Sequence, residues 1–104
     1  MQVKVIHTAF EDTPIHVATV TTPPGDHEMS LEYAYRWTQN IMDSWSKKGA
    51  QDGNDWVEVV APLHLVDGKT WGLRSTSMND EMIIEGTTYL VGAHGFEQKE
   101  VDFA

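Results

Sequence analysis

Short alternating runs of apolar and polar residues fill most of this chain, and the best organised lies between Met82 and Val91. Met82-Ile83-Ile84 is apolar, and Thr87 to Val91 is β-branched or aromatic except for Leu90, as paired strands prefer. Between them stands Glu85-Gly86. A two-residue hairpin turn wants positive φ at both central positions, which Gly meets freely and Glu meets less readily than Asn or Asp. In that register Ile84 faces Thr87 and Met82 faces Tyr89. Met82, Ile84, Tyr89 and Val91 then share the core face. The rest of the chain is expected to fold onto this hairpin.

The same reading places strands from Gln2 to His7 and from Ile15 to Thr22, with a turn over Phe10-Glu-Asp-Thr-Pro14 between them. Thr22-Pro-Pro-Gly-Asp26 ends the second strand, since proline cannot donate to a ladder. The spacing then changes from two to 3.6. Leu31, Ala34, Tyr35, Thr38, Ile41, Met42 and Trp45 fall on one helical face, which predicts a helix from Ser30, as N-cap, to about Trp45. Residues 46–55 are polar and Gly-containing and read as a mobile surface loop, which a protease cuts first between Lys47 and Asp55. Trp56 to Ala61 reads as a strand near an edge, because Pro62 interrupts it. Leu63 to Val66 and Lys69 to Leu73 flank Asp67-Gly68, a strong turn signal that sets His64 opposite Trp71. Phe96 to Val101 reads as a last strand, and 102–104 as a frayed end. These elements predict a single α+β domain over 1–104: one helix packed on a curved antiparallel β-sheet.

Composition narrows the function. Apolar residues make up 40% of the chain and four are Trp, enough for a real core. There is no Cys, which excludes disulfide scaffolds, thiolate metal sites and Cys nucleophiles. Met-Gln-Val-Lys-Val-Ile lacks the long apolar run and cleavage site of a signal peptide, and no window is apolar enough for a membrane-spanning helix. The net charge of −9 comes from acids spread evenly along the chain, with no basic patch. That argues against direct binding of nucleic acid or an anionic membrane, both of which need cationic neutralisation. It favours a protein partner whose surface is basic or mixed in charge.

Candidate chemistry is sparse. The five His, at 7, 16, 27, 64 and 94, show no metal-ligand spacing, so neither a metal nor a cofactor is expected. Ser75-Thr76-Ser77, beside Arg74, Asp80 and Glu81, offers hydroxyls that a small enzyme or ligand-binding domain could use together with His94. In the simpler reading they cap backbone groups in a turn, and no catalytic residue is assigned. Trp37 and Trp71 are the best candidates for interface anchors, followed by the bend from Arg74 through Asp80 to Glu81.

Two segments carry a family resemblance. Leu31 to Trp45 carries Trp37-Thr-Gln-Asn40 and ends in Trp, which looks like an aromatic, Thr, x-Asn helix ending in Trp. Leu73 to Glu97 contains Arg-Ser-x-Ser, then Asn79-Asp80, Ile-Ile-x-Gly-x-x-Tyr-x-Val and Gly-Phe. Together, over about two fifths of the chain, they resemble small phage and plasmid proteins similar to the YodL-like domains. Asn79 stands where that pattern has Gly, and Asn tolerates left-handed backbone. The resemblance implies a mobile-element protein working in a host bacterial cytoplasm and carries no activity with it. The expected function is non-enzymatic binding of another protein. One alternative is a nucleic-acid-mimicking inhibitor of a basic host-defence protein, which needs acids gathered on one face. Another is a small enzyme built on the 75–81 bend and His94.

Overall fold

A computed structural model describes residues 1–40, 45–47, 57–61, 63–66, 68–93 and 95–99. Hairpin pairing of near-neighbour strands builds most of it. β1 (Gln2–His7) pairs with β2 (Ile15–Thr21), and β2 with β3 (Val57–Val59). β6 (Glu81–Ile84), β7 (Thr87–Gly92) and β8 (Gly95–Gln98) form a meander. β1 pairs with β6 and joins the two groups into one open antiparallel sheet of order β3-β2-β1-β6-β7-β8. β4 (His64–Val66) and β5 (Lys69–Trp71) pair with each other as a separate hairpin, with His64 opposite Trp71 as expected.

The hairpin that organised the sequence takes its predicted register, Met82 opposite Tyr89 and Ile84 opposite Thr87. Glu85 and Gly86 have φ of 49° and 83°, the two positive values such a turn requires. Glu is strained there, so replacing Glu85 with Asn should raise the urea midpoint, corresponding to about 0.5 kcal/mol of added stability. The exposed pair it would lose, Glu85 Oε2 to His27 Nε2 at 3.6 Å, contributes little. A lowered midpoint would contradict the strain.

One face of the sheet is the core. Val3 and Val5, Ala18 and Val20, Val57, Met82, Ile84 and Val91 are buried there under Leu31 and Ala34 of the helix. Tyr35 meets Phe96 of β8 edge-on at 6.2 Å, and His27 Nδ1 lies 2.7 Å from the Tyr89 hydroxyl. The β1–β2 ladder slips once. Val5 faces Ala18 but Ile6 faces His16, which leaves Val17 as the extra residue of a bulge. Strict alternation would expose Val17. The bulge turns it inward, so Val17 and Ala18 are both buried.

The helix, α1, spans His27–Trp37 and differs from the predicted one at both ends. Asp26, not Ser30, is the N-cap: its carboxylate accepts from the Met29 N–H at 2.8 Å. Ser30 looked like a cap because the apolar face begins beside it. Its hydroxyl instead lies buried, accepting from Thr22 Oγ1 at 3.0 Å. At the other end Thr38 leaves helical geometry, and side chains take the last carbonyls. Thr38 Oγ1 donates to Ala34 O at 2.9 Å and Gln39 Nε2 to Tyr35 O at 3.0 Å. The periodicity ran on because Trp45 is buried too, yet a short 3₁₀ turn, Trp45–Lys47, delivers it. Ile41 and Met42, assigned to the helix face, lie outside the described residues, as do most of the predicted 46–55 loop, Pro62, Asp67 and 100–104. The predicted strands over 56–61, 69–73 and 96–101 are shorter than expected, ending at Val59, Trp71 and Gln98.

Candidate functional site

The polar stretch from Leu73 to Asp80 is a connection between hairpins, and many of its backbone groups are paired with side chains and backbone from other segments. Trp45 Nε1 donates to Arg74 O at 2.8 Å, Asn40 Nδ2 to Leu73 O at 3.0 Å, and Gln39 Nε2 to Thr76 O at 2.8 Å. Thr76 N donates to Thr38 O at 3.0 Å, and Asn40 N to Ser75 Oγ at 2.8 Å. The end of α1 is thereby stitched to the bend. Asn79 has φ of 78°, the left-handed conformation its identity allows, and its N–H reaches Val91 O at 2.8 Å.

Arg74 and Asp80 sit at the centre of this stitching, and each is saturated. Asp80 is 0% exposed. Its carboxylate accepts from the N–H groups of Thr8, Ala9 and Ser77 at 2.8–2.9 Å and from both terminal nitrogens of Arg74 at 2.7 and 2.8 Å. Arg74 has five N–H donors, and all are used. Two go to Asp80, two to Glu11 at 2.7 and 3.0 Å, and one to Ser75 O at 2.9 Å. Two carboxylates around one guanidinium leave the cluster one negative charge in excess. Phe10 covers the guanidinium, with Cζ 4.9 Å from the ring centroid.

His7 stands beside this cluster at the end of β1, 1% exposed. Its Nε2 is 3.0 Å from Thr76 Oγ1, which lies 2.7 Å from Thr38 Oγ1, and 4.0 Å from Asp80 Oδ2. Its ring meets Trp45 edge-on at 6.3 Å. A pocket of about 350 Å³ opens next to it. Ile15, Val17, Ala61 and Leu73 form its apolar walls, and His7, Glu11 and Arg74 its polar part.

Electrostatics follows from this packing. Burial pushes the Asp80 carboxyl up, but the Arg74 and backbone hydrogen bonds outweigh it and hold the group at about 2. Hydrogen bonding to Arg74 lowers Glu11. Burial, then the nearby Arg74 charge, lowers His7 below its ordinary 6.5 and keeps the ring neutral. All three shifts have the same consequence. The unfolded chain binds protons more readily than the fold, so acid removes stability. His7's contribution is complete above pH 6.5 and falls away as pH drops below it; that of Asp80 is lost between 3.8 and about 2. The urea midpoint should therefore be level above pH 6.5, fall in a first step below it, and fall again under pH 4. A His7→Gln variant should lack the first step. A wild-type midpoint that stays level from 6.5 down to 4.5 would contradict a buried neutral His7.

The residues singled out from sequence end up in different roles. Asp80 is entirely internal, so it cannot be a contact for a partner; its identity as an acid in a polar bend concealed a buried anchor. Arg74 is a quarter exposed, with no donor left to offer. Glu81 leads β6 and pairs with Lys99 at 2.8 Å. Trp37 is half-buried against Tyr33, ring centroids 5.9 Å apart. Trp71 pairs through its backbone in β5; its side chain, and the whole of His94, lie outside the described residues. Ser75, Thr76 and Ser77 act as turn and helix-end partners, the simpler of the two readings. His7, Phe10 and Glu11 were missed. Phe10 gave a signal that could have been used: a large aromatic inside a Pro- and Asp-punctuated turn has no core to enter. Among the described residues no three His, Asp or Glu side chains gather so as to hold a metal ion, and no helix is long and apolar enough to cross a membrane. No family model, curated protein or solved structure matches the chain.

Proposed function

We propose that this chain acts by binding another protein, without catalysis, and that the contact is built around Phe10. The observation that carries this reading is an exposed aromatic held in place. Phe10 is 76% exposed, yet it rests on an Arg74 side chain fixed by ion pairs to Glu11 and Asp80. A rigid aromatic loses little entropy when a partner covers it, which is what binding hot spots need. Ile15, 43% exposed, lies on the wall of the adjoining pocket and extends the apolar surface. The hydroxyls and the Asp80 carboxylate of the 75–81 bend are hydrogen-bonded within the fold, which favours binding over catalysis at that bend.

The partner's surface is basic or mixed in charge. A net charge of −9 steers such a surface toward the protein and acts on the association rate more than on dissociation. The nucleic-acid-mimic alternative draws no support. Arg74 offsets one of the two charges of Glu11 and Asp80, and on the sheet face away from the helix Glu81 stands in register between Ile6 and Leu90, with Lys4 beside Ile83. The resemblance of residues 73–97 to the YodL-like pattern supports a mobile-element origin and a partner in the host bacterium.

Phe10→Ser is the test. It should leave the stability read from urea denaturation within about 0.5 kcal/mol of wild type, because the ring is exposed. It should weaken capture of the partner from bacterial lysate at least about tenfold, the loss of one hot spot. A partner held equally well by both proteins would place the contact elsewhere. The absence of any saturable partner would count against the binding reading itself.

A further inference from the structure

The ring of His7 has a determined tautomer, because the hydroxyl protons beside it can be assigned one by one. Thr38 Oγ1 lies 2.9 Å from Ala34 O. A carbonyl accepts and never donates, so the Thr38 proton goes there. Thr76 Oγ1, 2.7 Å from Thr38 Oγ1, must then be the donor in that pair. Its one proton is spent. Toward His7 it accepts, so Nε2, 3.0 Å away, carries the ring hydrogen. Nδ1 of the neutral ring is therefore a bare lone pair, and no described residue donates to it.

That lone pair belongs to a side chain that is 1% exposed and lines a pocket of about 350 Å³. The other polar groups of the pocket have matching character. Every Arg74 donor is already bonded, and the Glu11 carboxylate accepts. The pocket thus presents acceptors, a net negative charge and apolar walls. An anion is repelled, and a molecule with several polar groups finds too few partners on Ile15, Val17, Ala61 and Leu73. The complement is an apolar body bearing one good donor. Phenols and indoles combine a flat apolar ring with a strong O–H or N–H donor.

We propose that this pocket binds a small aromatic molecule of the phenol or indole class, its O–H or N–H donating to His7 Nδ1. The site adjoins the protein contact at Phe10, and the Arg74 and Ile15 side chains border both. The proposal stands or falls without the protein-binding reading.

The test uses the full chain labelled with ¹⁵N at histidine and long-range proton–nitrogen NMR. In the free protein His7 should show Nε2 protonated and Nδ1 bare. Titration with millimolar phenol and indole should move the Nδ1 resonance to saturation, in the direction of a newly accepted hydrogen bond. Anisole and 1-methylindole, which keep the ring but lack the donor, should bind about tenfold more weakly. Ala61→Phe, which fills the pocket from its wall, should abolish the shift while the remaining amide spectrum stays close to wild type. A His7 ring protonated at Nδ1, an Nδ1 resonance unmoved by phenol and indole, equal binding of the methylated analogues, or an unchanged titration in Ala61→Phe would each overturn the proposal.

Discussion

Replacing Asp80 by Asn should destabilise this protein by about 3–5 kcal/mol, a large part of the stability of a domain this size. Asp80 has no water-facing surface, and every group around it is a donor: Thr8, Ala9 and Ser77 N–H and the Arg74 guanidinium. Protonation alone, from 3.8 against about 2, corresponds to roughly 2 kcal/mol. Asn does more harm than a proton. Whichever carboxylate oxygen becomes the amide nitrogen, its two N–H groups meet other N–H groups, and Arg74 is left with Glu11 as its sole carboxylate. Urea denaturation at pH 7 reads the difference. A loss below about 1 kcal/mol, the range of an exposed pair, would show that the cluster does not hold the fold.

Trp45→Ala should cost about the same, 3–5 kcal/mol, for a different reason. The indole is 1% exposed, lies edge-on to His7, and donates to Arg74 O at 2.8 Å. Truncation opens a cavity in the core and strips the 73–76 bend of one of its ties. Trp45→Phe should recover most of the packing but not the hydrogen bond, and so fall between wild type and Ala. If Phe were as damaging as Ala, the hydrogen bond and not the packing would dominate.

What was legible in the sequence was whatever depends on local periodicity and turn chemistry. The Met82 to Val91 register follows from alternation and from Glu85-Gly86, and the one-helix, antiparallel arrangement follows from a single change of period. The limits of the helix were not legible. Asp26 and Ser30 are both good caps by type, and only tertiary contacts show that the Ser30 hydroxyl is occupied by Thr22. The helix end was hidden because Trp45 satisfies the 3.6-residue spacing by coincidence with a separate 3₁₀ turn. The polar cluster was least legible of all. It joins residues 63 to 73 positions apart, such as Glu11 with Arg74 and Thr8 with Asp80, and nothing in the spacing of either segment points to the other. Reading Arg74 and Asp80 as surface contacts followed from the usual exposure of charged side chains, a tendency that a saturated ion pair overrides. The bulge at Val17 escaped for a similar reason, since one extra residue in β2 is visible only against its partner strand.

The central claim is that the charged residues of the bend serve the fold as one coupled unit and thereby hold Phe10 for its partner. A double-mutant cycle on Arg74→Met and Asp80→Asn, read by urea denaturation at pH 7, tests it most directly. The two changes together should cost about 1–3 kcal/mol less than the sum of the single changes, because each removes a pairing the other has already broken. Additive losses, equal to that sum within about 0.3–0.5 kcal/mol, would mean that Arg74 and Asp80 act independently, and would contradict the account.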